Sequence, residues 1–358
     1  MNRIILDCEL MKNRNTGLYH YCLNLGTHLQ RVAGKNGDSE KIMYYIPPSE
    51  ADCFPLRAET IVQHSMHKFF NPFLWVSDVW HATYQGTRIM PLRNRRIKVV
   101  LTIHDLNFLH EDASEQRRKD ELRQLQILID RSDALVCISD YCRKEVQRHC
   151  TTHGKAIHVI HNGGNTLQPA SPPVASCMPQ QPFLFALGYV NRKKNFHVLL
   201  PLVQDNDLEL VIAGKLDDPD YVSHIHETAR QMGIAHKVHV LGPVSEPAKA
   251  WYYQNCSAFV FPSIAEGFGL PVVEAMSCGK PVFLSDRTAL PEIGGDVAFY
   301  FNDFGAERMQ QVLRDGMEKY RAGNMGDAIR ERAKAFSWDR AAAEYLDVYR
   351  RVRQNGIF

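Results

Sequence analysis

Two glutamates separated by seven residues form the most informative pair of side chains in the sequence. Glu266 follows the apolar run 258–261, and the segment Gly-Phe-Gly-Leu-Pro leads from it toward Glu274. Glycines let a ligand approach the backbone closely, and Pro271 favours the first turn of a helix. A strand, loop and helix in this order present free N–H groups and the positive end of a helix dipole, which suit a diphosphate or the hydroxyls of a sugar.

The spacing of these glutamates alone leaves two interpretations open. Both carboxylates can face one ligand, or Glu266 caps the helix region while Glu274 is solvated. The basic run Arg192-Lys193-Lys194 also has two interpretations, a clamp for a diphosphate or a solvated turn. His104 follows another apolar run, where a lone histidine is more often structural than catalytic.

These residues lie near the ends of short apolar runs that alternate with amphipathic stretches of helical length. That alternation is typical of parallel strands joined by helical crossovers. We predict one sheet from residues 4–6, 41–46, 99–103, 134–138 and 157–160, and a second from residues 183–187, 208–213, 238–241, 258–261 and 281–284.

The chain length predicts two domains, because 358 residues exceed one α/β domain of ordinary size. Residues 168–182 are rich in Pro, Ala, Ser and Gln and contain no charge, which predicts an interdomain linker. We therefore place an N-terminal domain at 1–167 and a second domain at 183–338. Apolar residues at helical spacing predict a closing helix and tail at 339–358.

The composition is that of a soluble globular protein, with 45% hydrophobic and 23% charged residues and a net charge of +2. A near-neutral chain gives no general argument for nucleic acid as a partner. The nine cysteines are irregularly spaced, which favours reduced thiols over a disulfide framework or a zinc site. The start of the sequence does not resemble a signal peptide, and no apolar run reaches the roughly 20 residues of a membrane span. We expect a cytoplasmic protein.

Two other motifs argue against a metal or a dinucleotide. Asp-x-Asp occurs at 205–207 and 218–220, but among turn formers and not after an apolar strand, so we expect surface turns and no metal. Gly267-Phe268-Gly269 could begin a dinucleotide fingerprint, but Val272 occupies the third glycine position. An oxidoreductase is therefore not expected.

The segment from Glu266 to Met276 resembles the E-x7-E signature of the family 4 group of GT-B glycosyltransferases. Segments similar to other family motifs occur in the same order, at 102–105, 136–141, 159–163, 187–195, 210–215 and 336–338. The resemblance implies an α/β fold of GT-B type, with two Rossmann-like domains facing across a cleft and a C-terminal helix crossing back to the first domain.

The same resemblance implies the chemistry. It implies a retaining, metal-independent hexosyltransferase without a cofactor, whose donor is a nucleotide-diphosphate sugar held mainly by the second domain. The acceptor, a saccharide or lipid-linked saccharide, would be held mainly by the first domain. Cations and amide donors at the leaving group lower the barrier, because negative charge develops on the phosphates.

The resemblance also assigns roles to particular residues. Glu266, His104 and Lys194 are the catalytic candidates: Lys194 at the diphosphate, and Glu266 and His104 near the donor sugar. Glu274 is expected at the ribose hydroxyls, with Lys193 supporting Lys194. The other donor-binding candidates are Gly267, Phe268, Gly269, Leu270, Gly17, Gly188 and Val244.

Two positions depart from the family pattern. Gly-x-Gly is frequent in the first strand-to-helix loop, but here Gly17 is followed by Tyr19 at the second glycine position. Many members have arginine where this chain has Tyr189, so Lys193 would have to supply that charge. We therefore expect this chain to differ from the family in the loop at Gly17 and Tyr19, which would affect acceptor or phosphate access, and at the phosphate-binding positions Tyr189 and Lys193.

The setting expected from relatives is the assembly of bacterial surface polysaccharide, with mannose from GDP-mannose as the sugar. The alternatives are a non-catalytic protein that binds sugar nucleotides, or a GT-B phosphorylase or epimerase. Basic clusters in the first domain suggest peripheral contact with an anionic membrane carrying a lipid-linked acceptor, at the cytoplasmic face of the inner membrane. They consist of Arg93, Arg95, Arg96 and Lys98, and of Arg117, Arg118 and Lys119.

Overall fold

The computed structural model describes residues 2–14, 16–35, 40–54, 58–68, 77–111, 114–165, 167–168, 170–174 and 178–354. The chain forms two compact units, Met1–Gly163 with Ser337–Phe358, and Gly164–Phe336. Parts of three predicted segments lie outside the described residues: Asn15 in the first loop, residues 169 and 175–177 in the linker, and residues 355–358 in the tail.

The first unit contains a seven-stranded parallel sheet. Its strands are β1 (Asn2–Asp7), β2 (Glu40–Ile46), β3 (Glu59–Val62), β4 (Val79–Ala82), β5 (Lys98–Ile103), β6 (Ala134–Cys137) and β7 (Ile157–Val159), and its first helices are α1 (Gly17–Lys35), α2 (Glu115–Arg131) and α3 (Asp140–His149). The strand order is β3-β2-β1-β4-β5-β6-β7. Chain order therefore reverses at β1, which pairs with β2 on one side and with β4 on the other.

The second unit contains a six-stranded parallel sheet. Its strands are β8 (Phe183–Leu187), β9 (Glu209–Ala213), β10 (Val238–Val240), β11 (Ala258–Phe261), β12 (Val282–Ser285) and β13 (Phe299–Phe301), and its helices are α4 (Pro219–Gln231), α5 (Glu246–Asn255), α6 (Leu270–Ser277), α7 (Leu290–Gly294), α8 (Ala306–Ala322) and α9 (Met325–Lys334). The order is β10-β9-β8-β11-β12-β13. Central strands such as β9 and β11 are buried along their whole length, as expected for a parallel sheet with helices on both faces.

The final helix, α10 (Trp338–Gln354), belongs to the first unit, where it packs on α1 and β5. A buried polar network anchors it. The hydroxyls of Tyr345 and Tyr21 are hydrogen-bonded to each other at 2.7 Å, and each is also hydrogen-bonded to the Thr102 hydroxyl. The Thr102 hydroxyl is hydrogen-bonded to Nε2 of His81 and the Tyr349 hydroxyl to Nδ1, each at 2.7 Å. The pKa of His81 falls to about 3 because of burial, so its ring is neutral.

All ten strands predicted from the sequence are present, and three more were not predicted. β3 is a short edge strand that begins Glu-Thr, and β4 carries His81 within four residues, so neither gives an apolar run. β13 is an edge strand of three residues, and the apolar run that contains it, 297–301, was missed. The two-unit Rossmann-like architecture and the closing helix are confirmed. In the described part of the chain, no helix is both long and apolar enough to cross a bilayer.

Candidate active site

The carboxyl ends of three neighbouring strands carry the main group of sequence-predicted residues. Gly188 and Lys194 follow β8, Glu266 follows β11, and the loop containing Thr288 follows β12. Chain order reverses between β8 and β11, since β9 lies on the other side of β8. Such a switch point is where open α/β sheets bind ligands.

Two glycines bring the loops after β8 and β9 together at this switch point. A Cβ atom at Gly214, where φ is +132°, would lie 2.1 Å from the carbonyl oxygen of Gly188. The Gly188 N–H donates to the Ala213 carbonyl at 3.0 Å. A Cβ atom at Gly188 would lie 3.1 Å from Cε of Lys194. Glycine at 188 therefore leaves room for the lysine chain to cross the loop.

Lys194 ends a short 3-10 turn, Arg192–Lys194, which stops at Asn195 in a left-handed conformation. The Lys194 ammonium donates a hydrogen bond to Oε1 of Glu266, and both side chains are 13% exposed. It also lies 4.8 Å from the centroid of the Phe261 ring. The lysine is thus held at the end of β11, where the added negative charge of a diphosphate would compete with Glu266 for it.

Glu266 is held at both its backbone and its side chain. Ser263 donates its hydroxyl to the same Oε1 atom at 2.5 Å, and the Glu266 N–H donates to Oγ1 of Thr288 at 2.9 Å. Within the described residues both donors to the carboxylate act on Oε1. Oε2 is consequently available to a ligand.

Lys193 supports this loop through its main chain. Its carbonyl accepts a hydrogen bond from the N–H of Ile264 at 3.0 Å and lies 3.3 Å from the Ser263 hydroxyl, whose proton points mainly to Glu266. The basic turn after β8 and the glutamate loop after β11 are therefore joined by hydrogen bonds at Lys193 as well as at Lys194.

The segment between the two glutamates forms the start of α6. Gly269 precedes the helix with a φ of +108°, which favours glycine, and no side chain caps the helix. The Phe268 ring is buried and packs edge-to-face on Phe336 at 5.5 Å. Half-buried Leu270 opens the helix, and contact of Gly267, Phe268 and Gly269 with a ligand stays a prediction. Val244 is half-buried in the loop after β10, which β9 separates from β8.

Glu274 lies on α6 and is only 3% exposed, so the interpretation that it is solvated is wrong. Its Oε1 accepts from Asn165 at 2.7 Å and from Lys249 at 3.3 Å, and its Oε2 accepts from the Tyr253 hydroxyl at 2.9 Å. Burial acts to lower the pKa of Lys249, but the charges of Glu274 and Glu246 outweigh it and raise that pKa. Three donors leave one carboxylate position for a ribose hydroxyl.

Replacing Glu274 by Gln should raise the donor KM with kcat little changed, because ribose contacts are equal in the ground and transition states. It should also lower the free energy of unfolding by about 2 kcal/mol, less than for an isolated buried pair, because Lys249 keeps Glu246 at 2.8 Å. Steady-state kinetics and urea unfolding measure the two effects. Lys249→Met added to Glu274→Gln should recover part of the stability, and a further equal loss would contradict this account.

His104 lies in the first unit directly after β5 and is buried. Its Nε2–H donates to the carbonyl of Thr83 at 2.8 Å, and the Tyr21 ring stands edge-on at 4.6 Å. Burial lowers the pKa of His104 to about 4, although the Thr83 carbonyl acts to raise it. The imidazole is therefore neutral near pH 7, and its role at a donor sugar stays a prediction.

In the loop before α1, the structure shows what Tyr19 does at the position where the family pattern has a second glycine. Gly17 is exposed and begins α1, and no atom lies within 4 Å of the position of an added Cβ. Tyr19 at the second glycine position donates its hydroxyl to the buried Glu50 at 3.3 Å, and Arg14 donates to the same carboxylate at 2.7 Å. Tyr19 therefore fixes the start of α1 by a side-chain contact that glycine could not make.

Asp7 is a buried carboxyl at the end of β1, where the first sheet has its own switch point. Thr87 donates its hydroxyl to Oδ2 at 2.6 Å, and the Glu9 N–H donates to Oδ1 at 3.1 Å. Burial raises the pKa of Asp7 to about 7 from 3.8, despite the opposing effect of the Thr87 hydrogen bond. The folded protein thus retains a proton that the unfolded chain loses near pH 4.

Asp7 should therefore make stability fall as the pH rises. With the folded pKa above the unfolded one, its contribution is fully present below pH 3.8 and is lost as the pH rises through about 7. The change amounts to about 4 kcal/mol. In urea unfolding, Asp7→Asn should gain up to that much relative to wild type between pH 4 and 7.5. Parallel stability curves would show that Asp7 does not hold the proton.

Several residues of the site were not found by sequence reasoning. They are Ser263 and Thr288, which contact Glu266, and Asn165, Lys249 and Tyr253, which contact Glu274. Ser263 and Thr288 could have been chosen as candidates from the sequence, since each is a polar residue soon after the end of a strand. The same holds for Asp7, the last residue of β1 in the first unit. Lys249 and Tyr253 lie on α5 and have no such signal.

The two Asp-x-Asp segments have structural positions. Residues 205–207 form an exposed turn, and Asp218 caps α4 by accepting from the Tyr221 N–H at 3.0 Å. Among the described residues, no three His, Cys, Asp or Glu side chains are grouped so that they could hold a metal ion. Metal independence itself stays a prediction.

Comparison with known sequences identifies the family. Residues 176–333 match the family described as "Glycosyl transferases group 1", and residues 73–166 match the family described as "Glycosyltransferase Family 4". O-antigen chain mannosyltransferase B of Escherichia coli is 29% identical over 283 residues, which cover 72% of each chain. The serotype-specific mannosyltransferase WbdA of the same species is 25% identical over 293 residues, 74% of this chain but only 35% of its own length.

Solved structures share the fold. Sucrose-phosphate synthase from Thermosynechococcus elongatus has a TM-score of 0.73 at 18% identity, covering 99% of this chain and 100% of that one. HepE from Anabaena, in complex with UDP-glucose, has a TM-score of 0.70 at 17% identity, covering 97% and 100%. Two Rossmann-like units of this kind are the GT-B architecture, and the sequence matches identify the chain as a glycosyltransferase. The chain belongs to glycosyltransferase family 4.

Proposed function

We propose that this glycosyltransferase moves mannose from GDP-mannose to a hydroxyl of a saccharide or lipid-linked saccharide, with retention of configuration, in surface polysaccharide assembly. The observation that carries the proposal is the contact between Lys194 and Glu266 at the switch point of the second sheet. This contact supports the proposal because the reaction needs a cation at the diphosphate and a carboxylate at the sugar, and these two side chains are adjacent, shortly before the N-terminus of α6.

The geometry suggests how these residues act. As the bond between C1 of the sugar and the phosphate oxygen breaks, negative charge grows on the diphosphate and positive charge on the ring. Lys194 and the positive end of the α6 helix dipole stabilise the negative charge, and Glu266 stabilises the positive charge. The acceptor oxygen bonds to C1 on the face that the phosphate leaves, and its proton passes to a phosphate oxygen. The chain itself then needs no general base.

The names of the relatives support mannose. Both Escherichia coli proteins are mannosyltransferases, and the first of them acts on O-antigen chains according to its name. HepE was solved with UDP-glucose. The choice between GDP-mannose and a UDP-sugar is therefore the first point to test.

A panel of nucleotide sugars distinguishes these donors by thermal unfolding, since a ligand that binds only the folded state raises Tm. GDP-mannose should give the largest shift. With that donor and a mannose-terminated oligosaccharide, we expect an α-linked product by NMR, formed equally well with EDTA present. A β-linked product would refute retention, and loss of activity in EDTA would refute metal independence.

The same assays distinguish the transferase from the three alternatives. A non-catalytic protein would bind a sugar nucleotide without releasing nucleoside diphosphate when acceptor is added. A phosphorylase would need free phosphate, and an epimerase would turn over without acceptor. The joint presence of Lys194, Glu266, Glu274 and His104 favours the transferase.

Peripheral membrane contact is a further part of the proposal. In the cluster at 117–119, Arg117 pairs with Glu121 and Lys119 with Glu115, at 2.8 and 2.6 Å, which reduces its net positive charge. Arg93, Arg95 and Arg96 are exposed and are the better candidates. Binding to anionic vesicles that weakens with salt would support contact, and no binding at low salt would remove it.

A further inference from the structure

Thr288, in the loop after β12, has a backbone conformation that is unusual for its residue type. Its φ is +54°, in the left-handed region. In the described part of the chain the other non-glycine residues with positive φ are His153 and Asn195. A β-branched side chain is the least suited of these to that region, because its second γ atom crowds the backbone. Strain of this kind concentrates at functional sites.

The strained residue contacts the catalytic candidate directly. The Glu266 N–H donates to Oγ1 of Thr288 at 2.9 Å, and the N–H of Ala289, the next residue, donates to the Glu266 carbonyl at 3.4 Å. The loops after β11 and β12 are thus joined on both sides of Glu266. Glycine would adopt the same φ without strain but would lack the hydroxyl.

A neighbouring contact strengthens this connection. The Ser285 hydroxyl at the end of β12 donates to the Ser263 carbonyl at 2.5 Å, and the Ser263 hydroxyl donates to the Glu266 carboxylate. The β12 end of the sheet therefore constrains Glu266 through its backbone at Thr288 and through its side chain by way of Ser263. A shift of the Glu266 backbone would move the carboxylate away from Lys194.

We infer that Thr288 is a positioning residue, whose hydroxyl holds the backbone of Glu266 so that the carboxylate faces the sugar of the donor. This rests on the proposed function of Glu266. Thr288 is half-buried, so replacing its side chain should not collapse the core. The strained conformation is retained because the hydrogen bond to Glu266 requires a side chain at this position.

The experiment compares Thr288→Gly and Thr288→Ser with wild type. Thr288→Gly relieves the strain, so Tm should be equal or higher, whereas kcat should fall at least about tenfold with the donor KM within twofold. Thr288→Ser keeps the hydroxyl and should restore kcat to within about twofold. His153→Gly, at an exposed left-handed turn, controls for strain relief and should leave kcat unchanged.

Wild-type kcat in Thr288→Gly would overturn the inference, as would a Thr288→Ser variant as slow as Thr288→Gly. Failure of the proposed function would appear differently, as absence of turnover in the wild type. In that case crystal structures of wild type and Thr288→Gly decide the matter. A displaced Glu266 carboxylate that has lost the Ser263 contact supports the positioning role, and an unmoved one refutes it.

Discussion

Replacing Glu266 by Gln should lower kcat about 10²-fold or more while leaving the affinity for nucleoside diphosphate nearly unchanged. The amide keeps the shape of the side chain, and its oxygen can still accept from Ser263 and Lys194. The variant therefore removes charge with little change in position. In the proposed mechanism the carboxylate faces positive charge that develops only in the transition state, so the loss should appear in kcat and not in nucleotide binding.

The measurement combines steady-state kinetics with calorimetric titration of nucleoside diphosphate. Glu227→Gln is a matched control, because Glu227 is a half-exposed glutamate on α4 that pairs with Arg230, and it should behave as wild type. If Glu266→Gln raised the donor KM and Glu274→Gln lowered kcat, the two roles would have to be exchanged. Wild-type turnover in both variants would remove the assignment of the active site.

The position of Glu266 after a strand could be predicted from the sequence, because the elements that position it are neighbours along the chain. A strand, a glycine turn and a helix with Pro271 in its first turn occur within one stretch of sequence, and the structure has them in that order. The alternative that Glu266 caps the helix is wrong, because among the described residues its carboxylate accepts from Lys194 and Ser263 and from no backbone N–H of α6.

The surroundings of the two glutamates could not be predicted, because they come from distant parts of the chain. Asn165, 109 residues from Glu274, supplies one of its hydrogen bonds. Lys249 and Tyr253 supply two others from α5, whose sequence shows only an ordinary helix. The environment of Glu274 therefore depends on the packing of α5 and α6, which spacing alone does not reveal.

The same limit applies to the C-terminal helix. Its apolar spacing predicted a helix, which the structure confirms, but Tyr345 also joins a polar network through Thr102, 243 residues earlier. A tyrosine at a helical core position gives no sign that its hydroxyl has a buried partner. Periodicity predicted which face of this helix is buried, and only the fold shows which polar groups that face meets.

Removing the Lys194 ammonium, as in Lys194→Ala, should weaken binding of nucleoside diphosphate by about 1.5 to 3 kcal/mol, or roughly 10- to 150-fold. The lysine is 13% exposed and held by Glu266 at the switch point, so little water screens its charge. Lys193→Ala should have a smaller effect, because the contacts that Lys193 makes to Ser263 and Ile264 use its main-chain carbonyl and survive the substitution.

Calorimetric titration at two salt concentrations measures the effect, with Lys215→Ala as an exposed control in the loop after β9. Because a shielded charge is screened less than a surface one, the difference between Lys194→Ala and wild type should persist at the higher salt concentration. Glu266 would lose its cation in this variant, so kcat should fall as well as affinity. Unchanged affinity would place the diphosphate elsewhere, and a loss in Lys193→Ala alone would transfer the role to the neighbouring lysine.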